Sequence, residues 1–270
     1  MGVDVRTDER GFRLPDLATQ ACRHPQDRVV VAVGDSLTFG WGVAAADTYP
    51  ARLERILDGR CAAVSESCAT VHNAGIGNSN TSMELARYEL QVRPLHPDWV
   101  ILGYFINDAE PDPAPSTNPL FWHSALLSFA AAQLDRRTGL GGWESYYLGL
   151  YTAGRPGWER CQRALREFGR LLAADHTPAT LLLLPEMHRP RGDARLTAVL
   201  ARVAAIARDS GFEVIDPASL FPPGSGEAFW VSAEDAHPNA RAQAIFARAL
   251  AESRFASPGP RRPVRLARLR

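Results

Sequence analysis

Apolar residues in this chain gather into short unbroken runs, and each run stops at a polar turn. Arg28-Val29-Val30-Val31-Ala32-Val33 stops at Gly34-Asp35-Ser36, residues 99–106 stop at Asn107-Asp108, and residues 179–184 stop at Pro185-Glu186. Runs of this length without polar alternation predict strands buried on both faces. Thr70-Val71-His72 and residues 212–216 are weaker strand candidates. Between them the spacing becomes helical over residues 49–57, 83–92, 158–173 and 196–207, and over the alanine-rich 239–251. Strand alternating with helix predicts an α/β protein with a parallel sheet covered by helices on both faces. Chemistry in such a sheet gathers at the carboxyl ends of its strands.

Residues 110–157 break this rhythm. Pro111, Pro113 and Pro115 open the stretch, an apolar helix is expected over 120–134, and a glycine-rich turn leads to Trp143, Tyr146 and Tyr147. A long insertion after a strand's carboxyl end is placed to act as a lid or pocket wall. Trp122, Trp143, Tyr146, Tyr147 and Trp158 then line a substrate wall or simply pack the insertion, and the pattern leaves both open. No internal repeat is visible. Residues 1–256 are expected to form one domain, and the proline- and arginine-rich 257–270 a flexible tail.

Composition narrows the chemistry. All 30 basic side chains are arginine, so Schiff-base and Walker-type lysine chemistry is excluded. Five of those arginines lie in the last ten residues, which hold no acid, leaving 25 basic against 30 acidic side chains over residues 1–260. That body is mildly acidic, which disfavours a nucleic-acid partner. Cys22, Cys61, Cys68 and Cys161 show no metal-site spacing, so no metal is expected. Cys61 and Cys68 are read as free thiols, with a short disulfide as the alternative. No run approaches the roughly 18 apolar residues of a membrane span. Residues 1–13 carry no apolar signal core, so the expected location is cytoplasmic if Met1 is the native start and extracytoplasmic if an export signal was removed.

The chemically informative turn is Gly34-Asp35-Ser36-Leu37-Thr38-Phe39-Gly40, directly after the first strand. A serine there projects its hydroxyl at the sheet's carboxyl edge, with backbone donors beside it for an oxyanion. The other reading is that Asp35 and Ser36 only cap a helix. Three further stations follow: Asn73-Ala74-Gly75-Ile76-Gly77-Asn78-Ser79-Asn80-Thr81, Gly103-Tyr104-Phe105-Ile106-Asn107-Asp108 and Asp235-Ala236-His237-Pro238-Asn239. In content and order these four blocks resemble the GDSL, or SGNH, hydrolases, over nearly the whole chain from about Gly11 to the last helix.

That resemblance implies a flavodoxin-like three-layer α/β/α sandwich and a serine esterase needing no cofactor. It implies Ser36 as nucleophile, His237 as base and Asp235 as the acid orienting it, with Glu234 held as the alternative acid. The oxyanion would be held by the Ser36 N–H, a backbone N–H at Gly77 or Asn78, and the Asn107 amide. The sequence departs from the family at Asn78, which stands where the family has its glycine, and at Phe105, where glycine is common. Neither change removes a donor. With no lysine in the chain, the proton shuttle falls to His237. The expected substrate is a small-molecule, carbohydrate or lipid ester. Acyl transfer to a sugar or other alcohol shares the first half of the chemistry. A non-catalytic phosphate- or nucleotide-binding protein is the competing reading, but the Ser36 turn lacks both GxGxxG and the P-loop lysine. Glu186 and His188, after the third strong strand, are further candidates to reach the pocket, and Asp108 is read as a turn cap.

Overall fold

In the computed structural model of the protein the described residues are 3–15, 27–64, 69–112, 142–224 and 226–257. Five parallel strands, β1 (Arg28–Gly34), β2 (Ala69–Gly75), β3 (Trp99–Tyr104), β4 (Ala179–Leu183) and β5 (Glu213–Ile215), form one sheet in the order β2-β1-β3-β4-β5. The helices are α1 (Ser36–Phe39), α2 (Tyr49–Val64), α3 (Thr81–Arg87), α4 (Gly142–Leu150), α5 (Pro156–Ala174), α6 (Ala194–Asp209) and α7 (Ala240–Ala251). The chain steps from β1 to β2 on one side and then returns past β1 to β3, β4 and β5. Right-handed crossovers therefore send α2 to one face and α3, α5 and α6 to the other. Packing follows this division, with Tyr49 of α2 edge-on to Phe246 of α7, and Tyr88, just past α3, against Phe168 of α5.

Among the described residues each expected strand and helix forms, with shifts at the ends that have local causes. The strand read over 99–106 stops at Tyr104, because the Asp108 carboxylate accepts from the Phe105 N–H at 3.1 Å and folds Ile106–Ala109 into a 3-10 turn. The helix read over 83–92 starts earlier, where Asn80 caps the Met83 N–H, and ends in a π-helical turn, Tyr88–Val92. Part of the expected 110–157 insertion is instead sheet-covering helix, since α5 begins at Pro156. Residues 113–141, with Trp122 and the helix expected over 120–134, lie outside the described residues, as do residues 258–270, Cys22, Cys68 and the side chains of Cys61 and Trp143. Cys161 is a buried free thiol. A small antiparallel pair, β6 (Trp230–Ser232) and β7 (Asp235–Pro238), was not anticipated; it stands apart from the main sheet and carries the Asp-Ala-His block.

Three glycines at the carboxyl edge of the sheet set the position of α1. Gly75, Gly34 and Gly103 lie side by side across β2, β1 and β3. A Cβ at Gly75 would fall 2.3 Å from the Phe39 nitrogen, and one at Gly34 or Gly103 would fall 2.1 or 2.3 Å from Thr38 Oγ1. The first turn after β1 therefore rests directly on the sheet, with the Thr38 hydroxyl held by the Tyr49 hydroxyl at 3.1 Å. From outside, the buried Arg13 guanidinium clamps the same turn by donating to the carbonyls of Phe39 at 2.8 Å and of Gly40 and Val43 at 2.6 Å.

Gly103→Ala is expected to destabilise the fold by about 1–3 kcal/mol through this overpacking. Thr38→Ala in the same chain should recover part of the loss, so urea unfolding of the double variant should show less than the sum of the two single effects.

Candidate active site

Brought together at the carboxyl edge, where the strand order reverses around β1, are the ends of β1, β2 and β3. An open α/β sheet presents its crevice at such a switch point. Ser36 is the first residue of α1, and its N–H has no acceptor within the helix. Asp35 caps the same turn, its Oδ1 accepting from the Leu37 N–H at 2.8 Å. The two readings of this turn thus coexist: aspartate caps, and serine stands free at the edge.

The β6–β7 pair delivers the second half of the site. Ser36 Oγ lies 3.0 Å from His237 Nε2, and His237 Nδ1 lies 2.6 Å from Asp235 Oδ1. The same Asp235 oxygen accepts from the His237 backbone N–H at 3.0 Å, which ties carboxylate and imidazole into one rigid turn. Glu234 is exposed and takes the hydroxyl of Ser232 at 3.1 Å. The pair is fastened to the body by Asn239, which caps α7 and donates to the carbonyls of Ala228 and Trp230, and by the Trp230 indole on the Met187 carbonyl at 2.8 Å.

The candidate oxyanion groups face the same edge. Asn78 adopts the left-handed conformation, φ 59°, which asparagine tolerates better than most residues. Gly77 and Asn78 are both exposed. Asn107 sits in the 3-10 turn after β3, close enough to Asp35 for its amide to help hold that carboxyl's charge.

Asp35 itself is fully buried directly behind Ser36. Loss of solvation pushes its pKa up to about 6, opposed by the Leu37 N–H, the nearby His237, the Thr38 N–H and the Asn107 amide.

The remaining candidates divide. Glu186 and His188 pair with each other at 2.5 Å, and the His188 ring packs edge-on against Trp230. Glu186 also borders a cavity of about 430 Å³ whose wall includes Ile106, Leu184, Leu196 and Leu200. Neither Ser36 nor His237 is among the described residues lining that cavity. Tyr147 packs edge-on to Phe105, Tyr146 is exposed with its hydroxyl on Glu110, and Trp158 is buried against Tyr151. Phe105 therefore meets the insertion side of the site with an aromatic contact that glycine cannot make. A residue not singled out from sequence is Trp41, which is 53% exposed with its ring 6.3 Å from that of His237. The available signal was its place between Gly40 and Gly42, both at positive φ, which turn the chain so that the side chain stays outside.

Residues 32–245 match the model of the GDSL-like lipase/acylhydrolase family. No curated protein sequence matches the chain significantly. Among solved structures, a catalytic mutant of Axe2, an acetylxylan esterase from Geobacillus stearothermophilus, is similar at 17% identity, covering 84% of this chain and 95% of its own, with a TM-score of 0.53. A lipase/acylhydrolase from Enterococcus faecalis is similar at 16% identity, over 87% of this chain and 100% of its own, TM-score 0.53. A G-D-S-L family protein from Desulfitobacterium hafniense is also 16% identical, over 83% and 98%, TM-score 0.52. At these identities the structural likeness speaks to the fold.

A carboxyl whose pKa is higher folded than unfolded binds its proton more tightly in the native state, so its contribution to stability falls as pH rises through the interval between the two values. For Asp35 that interval runs from the ordinary aspartate value of 3.8 to about 6. Asp35→Asn keeps the cap acceptor and removes the titration, so urea unfolding should show a flatter decline of stability across this interval than in the parent protein.

Proposed function

The chain belongs to the GDSL-like lipase/acylhydrolase family and is an ester-bond hydrolase, and on that premise we propose that it is a serine esterase working through Ser36, His237 and Asp235. The observation that carries this reading is the continuous path from hydroxyl to imidazole to carboxylate, 3.0 Å and then 2.6 Å. Ser36 Oγ attacks the ester carbonyl while His237 Nε2 takes its proton. Asp235 holds the proton on Nδ1, so that Nε2 is the free base, and balances the imidazolium as it forms. The oxyanion is held by the Ser36 N–H, a backbone N–H at Gly77 or Asn78 and the Asn107 amide. The C–O bond then breaks, the alcohol leaves with the proton from His237, and water attacks the acyl-enzyme by the reverse route.

Access to water favours hydrolysis over transfer to another alcohol. His237 and Asp235 each keep about a third of their side-chain surface exposed, and Gly77 and Asn78 lie open at the rim. Acyl transfer needs a site that keeps water away from the intermediate. The substrate is accordingly read as a small-molecule ester whose alcohol portion extends outward past Trp41. The Geobacillus relative is named for acetylxylan, a polysaccharide that carries acetyl esters of the same chemical class. Among the described residues no helix is long and apolar enough to cross a membrane.

Ser36→Ala should lower kcat on a short-chain p-nitrophenyl ester by at least about 10⁴-fold while leaving the far-UV spectrum unchanged. Asp235→Asn should cost roughly 10²–10⁴-fold, and Glu234→Gln should leave the rate near that of the parent. The opposite ranking of these two would move the acid role to Glu234. Undiminished turnover by Ser36→Ala would remove the mechanism altogether.

A further inference from the structure

Asn73 is a buried polar residue on β2, between the apolar Val71 and Ala74, and no step of the proposed mechanism uses it. Both ends of its side chain are engaged. Oδ1 accepts from the Gly75 N–H at 3.0 Å, and Nδ2 donates to the carbonyl of Thr38 at 3.0 Å and to that of Phe39 at 3.3 Å. A backbone N–H can only donate and a carbonyl can only accept, so these partners fix which end of the amide is which. Arg13 holds the residue in place: its backbone N–H donates to the Asn73 carbonyl at 2.8 Å, and its guanidinium shares the Phe39 carbonyl at 2.8 Å.

The hydrogen bonds continue past Asn73 to the serine. The Thr38 carbonyl belongs to the same peptide group as the Phe39 N–H, which donates to the Asp35 carbonyl at 2.9 Å. The Asp35 carbonyl in turn shares its peptide group with the Ser36 N–H. Two peptide groups in series therefore connect the Asn73 amide to a backbone donor of the candidate oxyanion hole. When the carbonyl of a peptide group accepts a hydrogen bond, its own N–H becomes a stronger donor, so each bond in such a chain strengthens the next. Gly75 permits the close approach, since a Cβ there would fall 2.3 Å from the Phe39 nitrogen. α1 has only four residues, too few for a helix to hold its shape unaided.

We propose that Asn73 is a positioning residue for the oxyanion hole: through the Thr38–Phe39 and Asp35–Ser36 peptide groups it orients the Ser36 N–H and strengthens it as a donor. This rests on the reading of Ser36 as nucleophile and of its N–H as an oxyanion donor. A stronger donor acts where negative charge develops, so its effect falls on kcat and leaves ground-state binding alone. Removing one oxyanion donor costs about 10²–10³-fold in kcat. Cooperative strengthening of about 10–30% per bond makes the share of Asn73 roughly two- to eightfold.

The test on the full chain combines turnover of a short-chain p-nitrophenyl ester with inhibition by a trifluoromethyl ketone, which adds to the serine oxygen and leaves an oxyanion. Asn73→Ala removes the whole amide. Asn73→Ser keeps an oxygen for the Gly75 N–H, as serine does in such turns, but is too short to reach the Thr38 carbonyl. Both are expected to lower kcat per folded molecule roughly two- to eightfold, to hold KM within about twofold, and to weaken the ketone by the same factor as kcat. The proposal is overturned if both variants keep the parent kcat, if Asn73→Ser alone restores it, or if kcat falls while the affinity for the ketone is unchanged. The parent protein supplies a measurement that needs no variant. As the ketone adduct forms, the Phe39 amide proton should move downfield in the NMR spectrum together with that of Ser36, and a Phe39 proton that stays in place also overturns the proposal. A parent that neither turns over the ester nor forms the adduct would defeat the esterase reading itself, whereas any of these contrary results in an active parent defeats this inference alone.

Discussion

At the carboxyl edge of the sheet a threonine hydroxyl occupies the space that two strands would otherwise fill with side chains of their own. Thr38 lies against Gly34 and Gly103, and the backbone of Phe39 lies against Gly75. Because these contacts are with backbone and with a short, tethered side chain, α1 cannot slide or lift without opening a void or a clash. Ser36 starts this turn, so its hydroxyl is fixed to the most deeply buried part of the molecule, where Val30–Val33 and Trp99–Leu102 are without solvent contact. The close approach also brings Asn107 and the loop after β2 to the same point, since they follow the very strands that supply the glycines.

His237 reaches this point on different support. His237 belongs to a short strand pair outside the main sheet, held by the Trp230 indole on the Met187 carbonyl and by Asn239 at the head of α7. Val231 closes over Gly42, where a Cβ would come within 2.7 Å of its side chain. Ser36 and His237 are therefore positioned independently and meet through one 3.0 Å contact. The electrostatic design has the same two-part character. One side is partly open to solvent at His237 and Asp235, and the other is dry, with Asp35 buried behind the serine.

Much of the fold was legible in the sequence because a parallel sheet covered on both faces needs uninterrupted apolar strands, and residues 28–33, 99–106 and 179–184 read that way. The strand ending in His72-Asn73-Ala74-Gly75 was weaker, since Asn73 serves the turn by donating to the Thr38 carbonyl rather than packing the core. The β6–β7 pair was invisible to pattern, being short, half-buried and without hydrophobic alternation. Asp235 and Glu234 were indistinguishable by spacing, and what separates them in the structure is the geometry of a turn in which the Asp235 carboxylate meets the backbone N–H and the ring Nδ1 of His237. Trp41 as an exposed ring beside the histidine was not legible, because its placement depends on the turns at Gly40 and Gly42.

In the proposed mechanism Ser36, activated by His237, is the group that attacks the ester. Treatment with a fluorophosphonate ester followed by mass-spectrometric mapping of the modified peptide tests it most directly. One adduct is expected, on Ser36, formed rapidly by the parent protein and very slowly by His237→Ala. An adduct on any other residue, or labelling of Ser36 at the same rate without the imidazole, would contradict it.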